Sequence, residues 1–559
     1  MLRRKFLSGI LPASPPKDCR DEEASFLPPG GGITPYTGNW SRTEVIHLLK
    51  RTTFGARPED IAYFSTIPFN TAINELLNPT APLPTPPLKE YTPSANVTRP
   101  DTNIAAGTTW VNDWGADGAL NGNRISSFRK WWMGNLINQD RSIREKMILF
   151  WHNHFATETD TIGNPILIYR HHQLLRAQAL GNFKSLTRAV TLDPGMLVYL
   201  NGQFNTFTAP DENYARELQE LFCCGKGPNS KFTEDDVKAA ARVLTGWRIN
   251  TTNGNAFFDV ARHDKNAKSF SSFYNNTVIQ GRSTTAAGEQ ELDDLLNMIF
   301  ASQEVSKFIC RRLYRWFIYY DIDATIEATI ITPLANLFVQ NNYEVKPILE
   351  ALLKSEHFFH SLTIGCQIKS PVDLVVGLCR EFGVAFPSAS DYVTSYGHFN
   401  YLFNWASNMQ QMIGDPPDVS GWKAYYQEPM FYEVWINSDT LPKRNQFTDV
   451  MVVNGYTFNG FKISIDAAEW AKKLSAPADP NQLINDITAL IFRIDLSTAS
   501  KNQLKRDILL AGQALDHYWT DAWNLFITQP GNTTNTNFVR TRLRDLLKYL
   551  MSLSEYQLS

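Results

Sequence analysis

No run of eighteen or more apolar residues occurs anywhere in the chain, so no helix long enough to cross a bilayer is expected. The six cysteines, Cys19, Cys223, Cys224, Cys310, Cys366 and Cys379, contain no Cys-x-x-Cys pair. That removes zinc-ribbon and thioredoxin chemistry. Phosphate-cradling loops are missing too: Gly225-Lys226-Gly227 lacks both the leading glycine and the Lys-Ser/Thr ending of a Walker A sequence. Neither a G-x-S-x-G nucleophile elbow nor an H-E-x-x-H zinc helix is present. Charge is sparse, at 19% of residues against an average of about 25%. The formal net charge of -3 argues against a nucleic-acid partner, which asks for a basic footprint. The one local basic group, Arg311-Arg312 with Arg315, lies beside Leu313, Trp316 and Phe317 and reads as a solvated helical stripe.

What the chain does have is rings. Among 559 residues, 43% are hydrophobic, and 14 Trp and 34 Phe imply a core packed largely by aromatic side chains. The fold class expected is mainly α: a large multi-helical array with a Pro/Gly-rich N-terminal arm. Residues 1–40 form that arm, 41–440 the main helical domain, and 441–559 a C-terminal helical region packed on it. Helical periodicity marks 125–138, 141–155, 164–180, 183–192, 211–224 and 233–247. Ser41 can cap a first helix, Pro58 can open a second, and Thr233 with Asp236 makes a capping-box variant. Asp193-Pro194-Gly195 reads as a turn. Residues 250–285 alternate aromatic and polar positions among Gly and Asn, and any small β-hairpin insertion belongs there.

Several segments together resemble the uncharacterised bacterial family catalogued as domain of unknown function eighteen-hundred. They are His47–Gly55, Arg144–Met147 with Phe150–Phe155, Asn213–Leu221, Ala240–Trp247, His263-Asp264 with Lys268, Lys369-Ser370-Pro371, and Pro416-Pro417 with Gly421-Trp422. Phe222 and Cys223 depart from the His and Thr expected at those positions. The resemblance implies an exported protein and carries no established activity. By gene neighbourhood it points only loosely to envelope or polysaccharide work. The start Met1-Leu2-Arg3-Arg4-Lys5-Phe6-Leu7 is similar to a twin-arginine export motif. Its apolar continuation, Gly9-Ile10-Leu11, is short, so it reads as a degenerate export signal or a plain basic N-terminus.

Three polar groups stand out as candidate catalytic or metal-ligating residues. His152 and His154 end a helix rich in aromatics. On a regular helix they point about 200° apart, and they share a ligand only where the helix unwinds at Asn153. Glu217 and Glu220 share a helical face with Asn213, a spacing that suits a divalent metal or an acid–base pair. The plain alternative pairs Arg216 with Glu220 on a solvated face. His263 and Asp264 sit in the least helical stretch, where a carboxylate can tune an imidazole. Trp422, beyond the stiff Asp415–Asp418 turn, either stacks on a sugar or plugs the loop onto the core. The expected function is an exported enzyme, a metal-dependent hydrolase of envelope or extracellular polymer, with His152 and His154 facing Glu217 and Glu220. The alternative is a non-catalytic envelope protein that binds or assembles, whose polar clusters only pin helices together.

Overall fold

Ser41 accepts a hydrogen bond from the Thr43 amide while Glu44 reaches back to the Ser41 amide, and this capping box starts helix α1 (Arg42–Thr52). The same logic recurs along the chain. The computed structural model describes residues 32–92, 101, 104–114, 118–422, 424 and 432–559. The twin-arginine-like start and Cys19 lie outside the described residues. Of the N-terminal arm, residues 32–40 are described; Tyr36 donates its amide to the Lys354 carbonyl and Pro35 bridges Ser355.

Helix predominates. After α1, the elements that position the site are α2 (Gly118–Ile137), α3 (Arg144–His154), α4 (Pro165–Ala177), α5 (Asn213–Glu217) and α6 (Glu234–Val243). They continue with α7 (Gln303–Phe317), α8 (Pro371–Glu381), α9 (Tyr392–Asn408), α10 (Thr440–Val453) and α11 (Thr533–Met551). α2 lies against α4, α8 and α9; α3 packs on α4; α8 and α9 meet α10, and α10 meets α11. Thr233 and Asp236 form the expected capping box on α6. Pro58 occupies the first turn of the Pro58–Phe64 helix, where its missing amide costs nothing.

Asp193-Pro194-Gly195 is not a turn. Asp193 caps a short helix, Pro194–Tyr199, by accepting from the Met196 amide, with Pro194 in its first turn. The sequence signal of a cap and that of a turn are the same three residues, and here the following Met-Leu-Val-Tyr continues helically.

Among the described residues the strands form three two-stranded antiparallel hairpins. Two fall in or at the edge of the expected 250–285 stretch, where one was expected: β1 (Trp247–Ile249), which begins before it in residues expected to be helical, pairs with β2 (Ala256–Phe258), and β3 (Lys268–Ser269) pairs with β4 (Val278–Ile279). The third, β5 (Tyr456–Phe458) with β6 (Phe461–Ile463), interrupts a region expected to be helical. Asn459 and Gly460 both have positive φ, 48° and 80°, which is the Asn-Gly two-residue turn that favours a hairpin.

The core is one continuous aromatic-rich cluster in which Trp110, Trp132, Trp151, Trp422 and Trp519 are essentially inaccessible. α3 runs through it buried on every side from Glu145 to His154. A helix buried all round must either be apolar all round or satisfy its polar groups internally. α3 does the second. Arg176 donates two hydrogen bonds to the Glu145 carboxylate, and Lys146 pairs with Asp373.

Candidate functional site

The expected site residues separate in space into three internal arrangements. His154 is buried among Phe150, Phe155 and Phe222, and its Nε2–H donates to the carbonyl oxygen of Phe222 at 3.0 Å. Burial, with the Arg312 charge nearby, holds its imidazole well below the ordinary histidine range. His152 packs edge-on against Trp132 and Trp422 at ring separations of 5.0 and 5.8 Å. Burial, with His171 adding to it, pushes its imidazole down to about 3. Between them, Asn153 accepts the Trp422 amide at its Oδ1. Gly421 lies so close that a Cβ there would stand 2.3 Å from the Asn153 carbonyl, at a φ of +91°. Trp422 is therefore a plug and is not available to stack on a sugar.

The carboxylates of the second group point elsewhere. α5 continues as a π-helical turn, Leu218–Cys223. The wider turn changes which neighbours align, so the spacing read from a regular helix no longer holds. Arg216 pairs with Glu212 and Glu234, not with Glu220, and Glu220 pairs with Lys226. Glu217 is half-buried, with Oε2 buried and unpartnered. Burial raises its carboxyl, Asp418 adds to the rise, and Lys226 and Arg216 oppose it. The histidine segment does meet the glutamate segment, but through the Phe222 carbonyl. Among the described residues no group of three or more His, Cys, Asp or Glu side chains is arranged to hold a metal ion.

The third group forms a closed network. Asp264 accepts from Arg242, and burial, which alone would raise its carboxyl, is outweighed by that guanidinium. His263 is enclosed between Thr245 and Glu291, with its Nε2 3.1 Å from Glu291 Oε1. Lys268 donates to both Glu291 and the Asp264 carbonyl. These contacts tie α6 and β3 to the helix Ala287–Phe300. Nothing in the 152/154 or 217/220 groups joins them.

A different arrangement carries an open cavity. It lies where α1, α3, α7 and α8 converge, and Lys50, Arg51, Lys146, Arg315 and Asp373 line it with the ring of Trp316. It has about 40 Å³ of room for water-sized groups, within about 560 Å³ of empty space that includes the open solvent at its mouth. A smaller cavity with only about 10 Å³ of such room adjoins it, sharing Lys50, Asp373 and Ser559 and adding Lys369 and Glu381. Five cationic side chains and two carboxylates line the pair.

Local chemistry places each of them. Lys50 and Arg51 lie in the last turn of α1, where the helix dipole favours cations. Gly55 and Gly377 let the loop after α1 sit directly on α8; a Cβ on Gly55 would fall 2.7 Å from the Gly377 Cα. That approach brings Lys50 onto Glu381. Burial would raise the Glu381 carboxyl, but Lys50 and Lys369 hold it below the ordinary range. Ser370 caps α8 through the Asp373 amide, with Pro371 in the first turn, and the Asp373 carboxylate takes Lys146. The wall is closed from the far end of the chain. Lys369 donates its amide to the Gln557 carbonyl, Ser559 donates to the Gln367 carbonyl, and Ile368 bridges Leu558.

The cations are unequally satisfied. Arg51 is 2% exposed. Its Nη2 donates to the Thr363 carbonyl at 2.6 Å and approaches Cys366 Sγ at 3.2 Å, while Nε and Nη1 have no partner among the described residues. Lys369 is 5% exposed and its ammonium sits 3.9 Å from the centre of the Tyr556 ring. Burial, with Lys50 beside it, pushes the Lys369 amine down to about 7. The expected solvated stripe on α7 is also corrected. Arg312 is buried, Arg311 is bound to Glu304 and Glu327, and Arg315 turns toward the cavity. A hydrophobic Trp316–Phe317 flank draws the whole turn inward.

Sequence reasoning did not single out Lys50, Arg51, Lys146 or Lys369 as functional, although all four stand in the family-like segments. Their available signal was a set of basic residues in or just before apolar helices, where an unpaired charge is costly. It also passed over His171, whose Nδ1 lies 3.0 Å from Asp193 Oδ2 in the core.

Comparison with known proteins gives one match. The family model described as "Protein of unknown function (DUF1800)" covers residues 47–558. No curated protein and no solved structure matches the chain.

Proposed function

We propose, starting from a chain that belongs to the DUF1800 family over nearly its whole length, that this protein recognises a ligand through its carboxylate or phosphate group. The recognition site is the cavity of Lys50, Arg51, Lys146 and Arg315. The observation that carries the reading is Arg51: a buried guanidinium at the wall of an open cavity, two of whose nitrogens have no partner among the described residues. A buried donor left unmade costs about 1–3 kcal/mol, and more when charged. An oxyanion accepting from one of these nitrogens makes a charge-assisted hydrogen bond, stronger than a neutral one. Lys50 and Lys146 are already neutralised by Glu381 and Asp373. The vacancy therefore suits one anionic group better than an extended polyanion.

This favours the binding half of the expected functions over hydrolysis at His152, His154, Glu217, Glu220, His263 and Asp264, none of which lines either cavity described above. We keep the extracytoplasmic location and an envelope saccharide partner as part of the proposal, resting on Arg3-Arg4 and on the family resemblance. An acidic sugar at a chain end meets the same chemistry.

Calorimetric titration with inorganic phosphate and with glucuronate tests the reading. Binding should occur, should weaken with added salt, and should fall at least tenfold in Arg51→Met, a change that keeps volume and removes the fork. A wild-type protein that binds neither anion, or an Arg51→Met protein that binds both unchanged, overturns it.

A further inference from the structure

We propose that one edge of the molecule is a membrane-contact surface, on which Phe204, Phe207 and Phe257 enter the apolar margin of a lipid bilayer and Arg248 meets an anionic headgroup. None of these residues lines the anion cavity, and the proposal does not depend on it.

Phe204, Phe207 and Phe257 are 64%, 51% and 43% exposed. The fold brings them to one place. A 3-10 turn, Gly202–Phe204, lies against β1. The Asn205 carbonyl accepts the Gly246 amide just before that strand, and the Phe207 amide donates to the Arg262 carbonyl beyond β2. Within the hairpin Trp247 and Phe258 share the inner face, ring against ring at 5.4 Å. Strand alternation therefore turns Arg248 and its cross-strand partner Phe257 to the outer face.

Two features of this edge point to lipid as the occupant. The first is charge. Residues 194–210 and 249–258 contain no Asp, Glu, Lys or Arg, so neither tip has an ion to strip of water on entering an apolar phase. At their base the carboxylates are already engaged: Glu212 with Arg216, Asp259 with Arg262 and Asp264 with Arg242, while Asp211 accepts the Asn213 amide. Among the described residues those pairs leave Arg248 and Lys265 without a carboxylate. A surplus of cations behind uncharged aromatic tips complements the phosphodiesters of an anionic leaflet.

The second is the backbone. The amides of Phe204, Asn205, Thr206, Phe207 and Ala209 all donate to carbonyls of the fold. In the hairpin turn Asn250 and Gly254 donate to the carbonyls of Asn255 and Asn250. Thr252 and Asn255 donate to the side-chain oxygens of Asn250 and Asn253. Amides bonded in this way can leave water without losing a partner. A lipid phase imposes that requirement because it offers no replacement bonds, whereas a protein partner does offer them. The contact is interfacial: the side chains enter and the fold stays in water.

The test uses the full chain and vesicles of two compositions, phosphatidylcholine alone and phosphatidylcholine doped with phosphatidylglycerol, read by co-sedimentation. Expected is binding to the doped vesicles that weakens with added salt. Phe204→Ser and Phe207→Ser should each lower the partition coefficient about tenfold, the effect of withholding one aromatic side chain from an apolar phase. Arg248→Gln should reduce the preference for doped vesicles. Phe538→Ser, at an exposed apolar position on α11, should change nothing. Unchanged melting temperatures verify that the variants fold. In the wild type, hydrogen–deuterium exchange on vesicles should slow within 201–210 and 250–258. Absence of binding to the doped vesicles, or binding that the two phenylalanine variants leave unchanged, overturns the proposal. So does a dimer seen by sedimentation velocity and abolished by those variants, in protein that ignores vesicles, because the face then belongs to a second copy of the chain.

Discussion

The Nε2–H of His154 donates to the carbonyl oxygen of Phe222 over 3.0 Å, joining the end of α3 to the π-helical turn that follows α5. One ring nitrogen is thereby committed to backbone, and His154 works as a pin between two helices. His154→Phe keeps the ring and removes the donor. It should cost about 1–3 kcal/mol of unfolding free energy, the penalty of a lost buried hydrogen bond. Urea denaturation measures this, and an unchanged midpoint contradicts the pinning role.

Stability should fall as the solution is acidified below about pH 6.5. His47, His152, His154 and His172 are buried and all have imidazoles depressed below the ordinary value. Above about pH 6.5 they are neutral in both folded and unfolded chains and contribute nothing to the slope. Below it the unfolded chain binds protons that the folded chain refuses, so each costs up to ~1.4 kcal/mol per pH unit. For His152 the loss continues to about pH 3. Carboxylates held down by cations, such as Glu381 and Glu291, add to the loss below about pH 4. Denaturation midpoints measured from pH 8 to pH 4 should decline steadily; a flat or rising series rejects this account.

Gly421→Ala should destabilise by about 1–3 kcal/mol, because a Cβ meets the Asn153 carbonyl at 2.3 Å in a left-handed backbone conformation. Gly118→Ala, in a helix with open space around the new methyl, serves as control and should be neutral or slightly stabilising. Thermal unfolding of the pair checks it. Equal melting temperatures would remove the claim that Gly421 seats Trp422 on α3.

How much of this was legible beforehand depends on what kind of signal each residue carries. Caps at Ser41, Thr233 and Pro58 are local, and they fold as their chemistry dictates. The β5–β6 hairpin was equally local, in Asn459-Gly460 between alternating rings, but it lay within a stretch otherwise patterned as helix. Glu217 and Glu220 misled because a π turn changes register without announcing itself in composition. The cavity was illegible for another reason. Lys50, Lys146, Lys369 and Ser559 meet only through tertiary packing, and the glycine contact that seats α1 on α8 joins positions far apart in sequence. What sequence did offer was the set of segments that resemble the family, and four of the cationic side chains stand in or beside them.

The bridge between Ile368 and Leu558, with the Lys369–Gln557 and Ser559–Gln367 bonds, closes a cavity whose opposite wall is the last turn of α1. Residues far apart in sequence thus enclose one cavity, and it exists only once their contacts have formed. Contacts of such long sequence separation form late and slowly. An anion held at Arg51, as proposed above, would stabilise only molecules in which these distant segments have met, because occupancy favours the folded form that binds it.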